Sequence, residues 1–403
     1  MIVDKGLAMR TPVIIVAGQG PTGYVTEELL KAPGTVLVEH QFDGHVVRRR
    51  TVTAPHGIVN ETVAALELAH GCVSCTVRND LLIYLRLLHR RDDVNRIVVH
   101  LEPWMEPEPI CWAINHVRVR VGPGYIDGPA ARDVVIAGVV TCIEAGDWLT
   151  DALGDDELPD GRTVAQVAVG QAEFADVLVV THAEPVLLAV CRRLAPRAQL
   201  VTGPDLVEDA LRALWPDARL GRADEPHGPL LAGQPSLKPE GPVQIVEFNA
   251  RRPFHPERLH DAIDHLLDGV IRTRGRMWLA NRPGHVMWLE SAGGGLRVSN
   301  AGRWIAAMTV SEAAYVDRER RALADLMWDN EFGDRHTAMT ILVCGARPGD
   351  VTAALNDALL TDEEFAARDT WAGYSDPFGD WHQEPCTRDD VTVVSDGTDH
   401  GAA

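Results

Sequence analysis

The sequence predicts an α/β protein of two domains, a mostly parallel sheet covered by helices followed by a smaller α+β domain. Three observations carry this. Short β-branched runs alternate with helical patterns through the first half, a Pro/Gly-rich stretch then interrupts the chain, and beyond it several strands follow one another directly.

In the first half, Val13–Val16, Thr35–Val38, Ile97–Leu101, Val134–Val140, Val177–Val180 and Gln199–Val201 read as buried strands. Apolar positions at helical spacing predict helices at Val63–Ala69, Leu81–Arg90, Val164–Phe174, Pro185–Leu194 and Asp205–Leu214. This alternation builds βαβ units, hence a doubly wound domain over residues 1–215. The six prolines between Pro216 and Pro242 suit neither a helix nor a central strand, so 216–242 reads as a linker. Strands are then expected at Val243–Asn249, Val270–Leu279, Val286–Ser291, Leu296–Ser299 and Thr337–Cys344. The helices expected among them are Pro256–Leu267, Glu312–Trp328 and Pro348–Leu360. Consecutive strands make 243–370 antiparallel or mixed, and 371–403, lacking apolar periodicity, reads as a loosely ordered tail.

The 403 residues carry a net charge of −20, with 46% hydrophobic and 24% charged residues. Such a field opposes broad nucleic-acid binding, although local basic patches such as Arg48-Arg49-Arg50 and Arg272, Arg274, Arg276 remain; these read mainly as solvated faces. Seven cysteines are too few for a disulfide-stapled fold, so the thiols are expected to be reduced. Neither a signal peptide nor a membrane span is legible, and a cytoplasmic location is expected.

After the first strand, Gly18-Gln19-Gly20-Pro21-Thr22-Gly23 keeps the G-x-x-x-x-G frame of a P-loop. The Lys and Ser/Thr that hold phosphate and Mg²⁺ are replaced by Tyr24 and Val25. A glycine-rich turn for chain reversal is therefore the favoured reading of Gly18, Gly20 and Gly23, with at most a simple anion on the backbone amides.

In His70-Gly71-Cys72-Val73-Ser74-Cys75, the two cysteines are spaced to share one Zn²⁺ or to form a redox pair. Structural zinc takes four ligands, and His70 with Glu39, His40, Asp43 and His45 are candidates for the rest. Two half-buried thiols at a helix start are the alternative. His255, His260 and His265 are spread round a helix by their spacing of five, and His382 and Cys386 lie in the tail, so neither set makes a strong metal site. Seven of the ten tryptophans lie at or beyond Trp215; Trp278, Trp288 and Trp304 fall in or beside the strand region and are expected mostly in the core.

Taken together these residues resemble the CobW family of P-loop GTPase metallochaperones over nearly the whole chain. Glu39-His40-Gln41-Phe42-Asp43-Gly44 stands in place of E-N-E-F-G-E, and Gly71-Cys72-Val73-Ser74-Cys75-Thr76-Val77-Arg78-Asn79-Asp80-Leu81 in place of G-C-x-C-C-T-V-R-x-D-L. Arg252-Pro253-Phe254-His255-Pro256-Glu257-Arg258-Leu259, Gly275-Arg276-Met277-Trp278-Leu279-Ala280 and Phe332-Gly333-Asp334-Arg335 resemble the family's C-terminal domain. The resemblance implies a P-loop NTPase-like domain followed by a CobW C-terminal α+β domain.

The departures bear on function. Glu102-Pro103-Trp104 replaces the E-T-x-G turn at the γ-phosphate, Thr181-His182-Ala183-Glu184 replaces the base-reading N-K-x-D, and Ser74 replaces the middle cysteine. GTP is accordingly not expected as a cofactor, Zn²⁺ is, and the protein is expected to be a pseudo-GTPase without enzymatic activity. The pattern resembles a bacterial branch of the family associated with zinc starvation, linked to recruiting a hibernation factor of the protein Y type to the ribosome. By that resemblance the partners are the ribosome and this factor, with no direct DNA or membrane contact. The alternatives are a GTP-dependent zinc metallochaperone and, third, thiol redox chemistry at Cys72 and Cys75.

Overall fold

The protein is described here by a computed structural model covering residues 10–54, 57–68, 72–223, 227–228, 230–231 and 233–379. The first domain comprises β1 (Thr11–Gly18), α1 (Thr22–Leu30), β2 (Thr35–Phe42), β3 (Val47–Thr53), β4 (Asn60–Leu66), α2 (Val73–His89), β5 (Arg96–His100), α3 (Pro107–His116), β6 (Val134–Ile143), α4 (Trp148–Leu153), α5 (Val164–Phe174), β7 (Val177–Val180), α6 (Pro185–Leu194), β8 (Gln199–Thr202) and α7 (Val207–Arg212). Its eight strands form one sheet in the order β4-β3-β2-β5-β1-β6-β7-β8. The six strands from β2 to β8 run parallel, and β3 and β4 continue from β2 as an antiparallel meander.

The β-branched runs explain why this sheet is covered on both faces. Val13, Ile15, Val36, Val38, Ile97 and Val99 pack against Leu81, Leu82 and Leu85 of α2 and against α3. The alternate residues Ile14, Val16, Leu37 and Val98 pack on Val25 and Leu29 of α1 and on Val207 of α7. Full burial of each such side chain stabilises the fold by roughly 1.5–3 kcal/mol. α5 starts at a capping box in which Thr163 and Gln166 satisfy one another's backbone N–H groups, so its first turn is locally encoded.

The second domain comprises β9 (Val243–Ala250), α8 (Pro256–Asp261), β10 (Val270–Met277), β11 (His285–Ala292), β12 (Gly295–Arg303), α9 (Val310–Ala313), α10 (Arg318–Leu326), β13 (Thr337–Cys344), α11 (Pro348–Asp357) and α12 (Asp362–Ala366). Its sheet is wholly antiparallel, β12-β11-β10-β13-β9. One face, through Val246, Phe248, Ile341 and Val343, packs on Leu259 of α8 and on Val351 and Leu355 of α11. The other face, through Val243, Ile245, Ile271 and Leu342, joins α4, α5 and α6 in a single core with Ile143, Leu178 and Val180. The two domains therefore share an apolar layer, and α4–α6 lie between the two sheets.

The structure corrects several expectations. The helix expected at Val63–Ala69 is not found among its described residues, and Ala69 lies outside them: Asn60–Leu66 is the edge strand β4, paired with β3 from Val47↔Leu66 to Thr53↔Asn60. Its apolar positions fit both periods, and pairing with a strand already built on β2 favours the extended form. The predicted helix near Glu312–Trp328 is two short helices, α9 and α10, and Pro256–Leu267 is α8 plus a 3₁₀ turn at Ile263–Leu266. α3 was not read from the sequence. The tail is packed at its start: Trp371 is buried against Trp278 and Phe365. The remainder of the predicted tail, with His382 and Cys386, lies outside the described residues.

Candidate functional site

The glycine loop after β1 is shaped by backbone contact with β6. Gly18 has φ +109°, and a Cβ there would meet the Cys142 carbonyl oxygen at 2.1 Å; a Cβ on Gly20 would meet Ile143 backbone at 2.7 Å. Both positions need glycine to let two strands approach. Gly23 differs, because it sits in the first turn of α1 with nothing within 4 Å of its Cβ position. The two residues standing where Lys and Ser/Thr would serve a nucleotide do other work: Tyr24 is 68% exposed, and Val25 is buried in the α1 core.

Gln19, in the middle of this loop, donates from Nε2 to the Pro103 carbonyl (2.7 Å) and to Gln171 Oε1 (2.8 Å). Gln171, fully buried on α5, donates in turn to the carbonyls of Pro103 (2.8 Å) and Met105 (2.9 Å). The loop after β1 and the Glu102-Pro103-Trp104 turn after β5 are thus bound to one another by two side-chain amides. Neither glutamine was singled out in the sequence; a lone Gln among the apolar residues of Val164–Phe174 was the available signal. Glu102 accepts from the Phe42 N–H at 3.2 Å and so holds the end of β2.

At the base-reading position, Thr181 Oγ1 donates to Glu144 (2.9 Å) and accepts from the Ala145 N–H (3.1 Å). Glu184 caps α6, accepting from the Leu187 N–H at 2.6 Å, with Pro185 in the first turn. The carboxylate standing at the family's aspartate position is consequently engaged by a helix end.

Cys72 and Cys75 are brought together at the start of α2. Cys72 is the N-cap, and its Sγ accepts the Cys75 N–H at 3.2 Å. A hydrogen bond from the Cys75 thiol, that backbone N–H and the nearby charge of Arg78 hold the Cys72 thiol below its ordinary value. Both side chains are half-buried and reduced. Two neighbouring thiols, one biased toward thiolate, have the chemistry a soft cation takes, and would make up two of the four ligands of a tetrahedral zinc shell.

The other candidate ligands do not gather there. Glu39 and His40 are neighbours on β2 and point to opposite faces of the sheet. Glu39 bonds His100 Nδ1 (2.5 Å) and Arg50 (2.5 Å). Burial raises the Glu39 carboxyl, but these two partners outweigh it and hold the group below its usual range. His40 is buried against Asp80 of α2, with Nε2 at 2.7 Å from the carboxylate, which also takes Arg49 at 2.6 Å. Asp43 accepts from the His45 and Val46 N–H groups and pairs with Arg48 at 2.8 Å. Among the described residues no three of His, Cys, Asp or Glu are grouped to hold a metal ion. His70 lies outside the described residues.

Of the two arginine groups, Arg48 and Arg50 are solvated as expected, and Arg272, Arg274 and Arg276 are not. Arg48, Arg49 and Arg50 are each paired with a carboxylate, as are Arg272 and Arg274 with Glu173, and Arg276 is buried. The His255 ring lies tilted against Tyr374 (4.4 Å) and the His260 ring tilted against Phe378 (5.9 Å), which separates the predicted histidine series. Trp278 and Trp304 are core residues, and Trp288, half-buried, donates to Glu290 at 2.7 Å.

A nucleotide-binding type of α/β sheet with a glycine loop after its first strand and a thiol pair at the start of α2, fused to a five-stranded antiparallel domain, defines a class of two-domain P-loop relatives. Residues 37–199 match the CobW/HypB/UreG nucleotide-binding domain, and residues 243–359 match the cobalamin synthesis protein cobW C-terminal domain. The chain belongs to the CobW family. It is 68% identical over 378 residues to a Mycobacterium tuberculosis protein named zinc chaperone Rv0106, covering 94% of this chain and 95% of that one. It is 24% identical over 356 residues to the zinc-regulated GTPase metalloprotein activator 1 of Dictyostelium discoideum, covering 81% of this chain and 72% of that protein. No helix among the described residues is long and apolar enough to cross a membrane.

Proposed function

We propose that this protein binds zinc through Cys72 and Cys75 and acts as a zinc-responsive binding platform without turning over a nucleotide. The observation that carries the reading is the thiol pair at the start of α2, with Cys72 biased toward the thiolate that a soft metal takes. The names of the relatives, a zinc chaperone and a zinc-regulated activator, support the metal. The absence of hydrolysis is supported by Tyr24 and Val25 in the loop, by the Gln19–Gln171 bridge to Pro103, and by Glu184 serving as a helix cap.

The finer reading is recruitment of a ribosome-hibernation factor to the ribosome under zinc limitation. It rests on the resemblance of the motif pattern. A surface fit for a macromolecular partner supports it: Val310 and Tyr315 are 91% exposed and Leu326 83% exposed, on a segment that also presents Arg318 and Arg321. Affinity purification from zinc-limited and zinc-replete cells, with metal analysis of the same samples, tests it. Ribosomal proteins and a hibernation factor are expected in the zinc-limited sample; their absence from both overturns the reading. The alternative, a GTP-dependent zinc metallochaperone, predicts saturable binding of a fluorescent GTP analogue and phosphate release, where the present reading predicts neither.

A further inference from the structure

A cleft of about 60 Å³ lies between the two domains, beside the starts of β7 and β8. The glycine loop follows the end of β1, parallel to those strands, so the cleft is at the opposite edge of the sheet from it. Among the described residues five arginines line it, Arg193, Arg197, Arg219, Arg272 and Arg274, with Glu173 as the one acidic residue. In a chain of net charge −20 this is a local reversal of sign.

Two of the carboxylates in reach are shared, and Asp176 and Glu108 act on Arg219. Glu173 takes both Arg272 (2.9 Å) and Arg274 (2.8 Å), with Glu290 a further 3.6 Å from Arg272. Glu240, itself exposed, is divided between Arg192 (3.3 Å) and Arg193 (3.2 Å), and Asp217 stands 3.2 Å from Arg197. The Arg193 side chain is only 2% exposed; it also donates to the carbonyls of Ala189 (2.8 Å) and Lys238 (2.6 Å). Yet its buried Nε, like that of Arg272, has no protein acceptor. Buried guanidinium N–H groups without acceptors are energetically costly, and the planar fork of arginine matches an oxoanion. A cavity of this size holds several waters at roughly 10–15 Å³ each, or one tetrahedral anion in their place.

We propose that this cleft is an oxoanion site that takes a phosphate group between the domains, held by Arg193, Arg219 and Arg272. The site draws on both domains and the linker, so occupancy adds contacts across their junction.

Calorimetric titration of the full chain with inorganic phosphate, against chloride at matched ionic strength, tests this. Saturable binding is expected for phosphate alone. Arg272→Gln is expected to weaken it at least about 10-fold, the loss of one charge-assisted hydrogen bond. Glu173→Gln, which removes the competing carboxylate, is expected to strengthen it several-fold. That opposite sign separates an anion site from a merely structural ion-pair cluster. Arg219→Gln supplies the weakening arm if Arg272→Gln does not fold, as judged by circular dichroism. No saturable binding, or a Kd that neither change of charge moves, as binding at the glycine loop would give, overturns the proposal.

Discussion

The backbone N–H of Cys75 lies 3.2 Å from Sγ of Cys72, placing one thiol of the pair under the first turn of α2 as its cap. This contact, with the Cys75 thiol and Arg78, lowers the Cys72 thiol, whereas burial pushes Cys142 and Cys191 up to about 12. In the metal-free native protein, timed alkylation read by mass spectrometry is expected to modify Cys72 first and to leave Cys142 and Cys191 unmodified. The Cys72 rate should reach half its plateau at a pH below 9.0, the ordinary thiol value. Equal rates at Cys72 and Cys142 would contradict the assignment.

Gly18 and Gly23 should respond differently to a methyl group. Gly18→Ala drives a Cβ into the Cys142 carbonyl and imposes a strained φ, and is expected to destabilise by about 2–4 kcal/mol. Gly23→Ala meets open space within α1 and is expected to be neutral or to stabilise by up to about 1 kcal/mol. Urea unfolding of the two variants checks both signs.

Gln171→Leu should break the bridge between the loop after β1 and the turn after β5. It leaves the Pro103 and Met105 carbonyls without this donor, at a cost of about 2–4 kcal/mol. Hydrogen exchange should rise in both segments together. A rise confined to α5 would show that the two glutamines do not couple them.

Arg276 donates from Nε to Nε2 of His336 at 2.9 Å, and the other ring nitrogen of His336 faces the Asp334 carbonyl at 2.8 Å. Burial, aided by the Arg276 charge, pushes His336 down to about 4. The unfolded chain therefore binds more protons between about pH 6.5 and pH 4, so this contribution is complete above pH 6.5 and fades as pH falls through that window. The expected loss is about 3 kcal/mol, and His336→Gln should flatten the pH dependence of urea midpoints over the same range.

Much of the fold was legible because both periodicities are strong where the core is. Most parallel strands of the first domain are short apolar runs rich in β-branched residues. β3 and β4 were not legible: Arg48-Arg49-Arg50 reads as surface charge until Asp43, Asp80, Glu39 and Glu61 are seen to neutralise it. The Cys72/Cys75 pair was local and could be read directly. The engagements of Glu39, His40 and Gln171 join residues from about 11 to 152 positions apart, and no short-range pattern encodes them.

The proposed function depends on zinc held by Cys72 and Cys75. Chelator-competition titration of the full chain, alongside Cys72→Ser/Cys75→Ser, tests it most directly. One tightly held zinc per chain is predicted for the unaltered protein, with at least about 100-fold weaker binding in the double variant at unchanged circular dichroism. Zinc retained at the same affinity by the double variant, or none bound by the unaltered protein, would show that the two thiols are not its ligands.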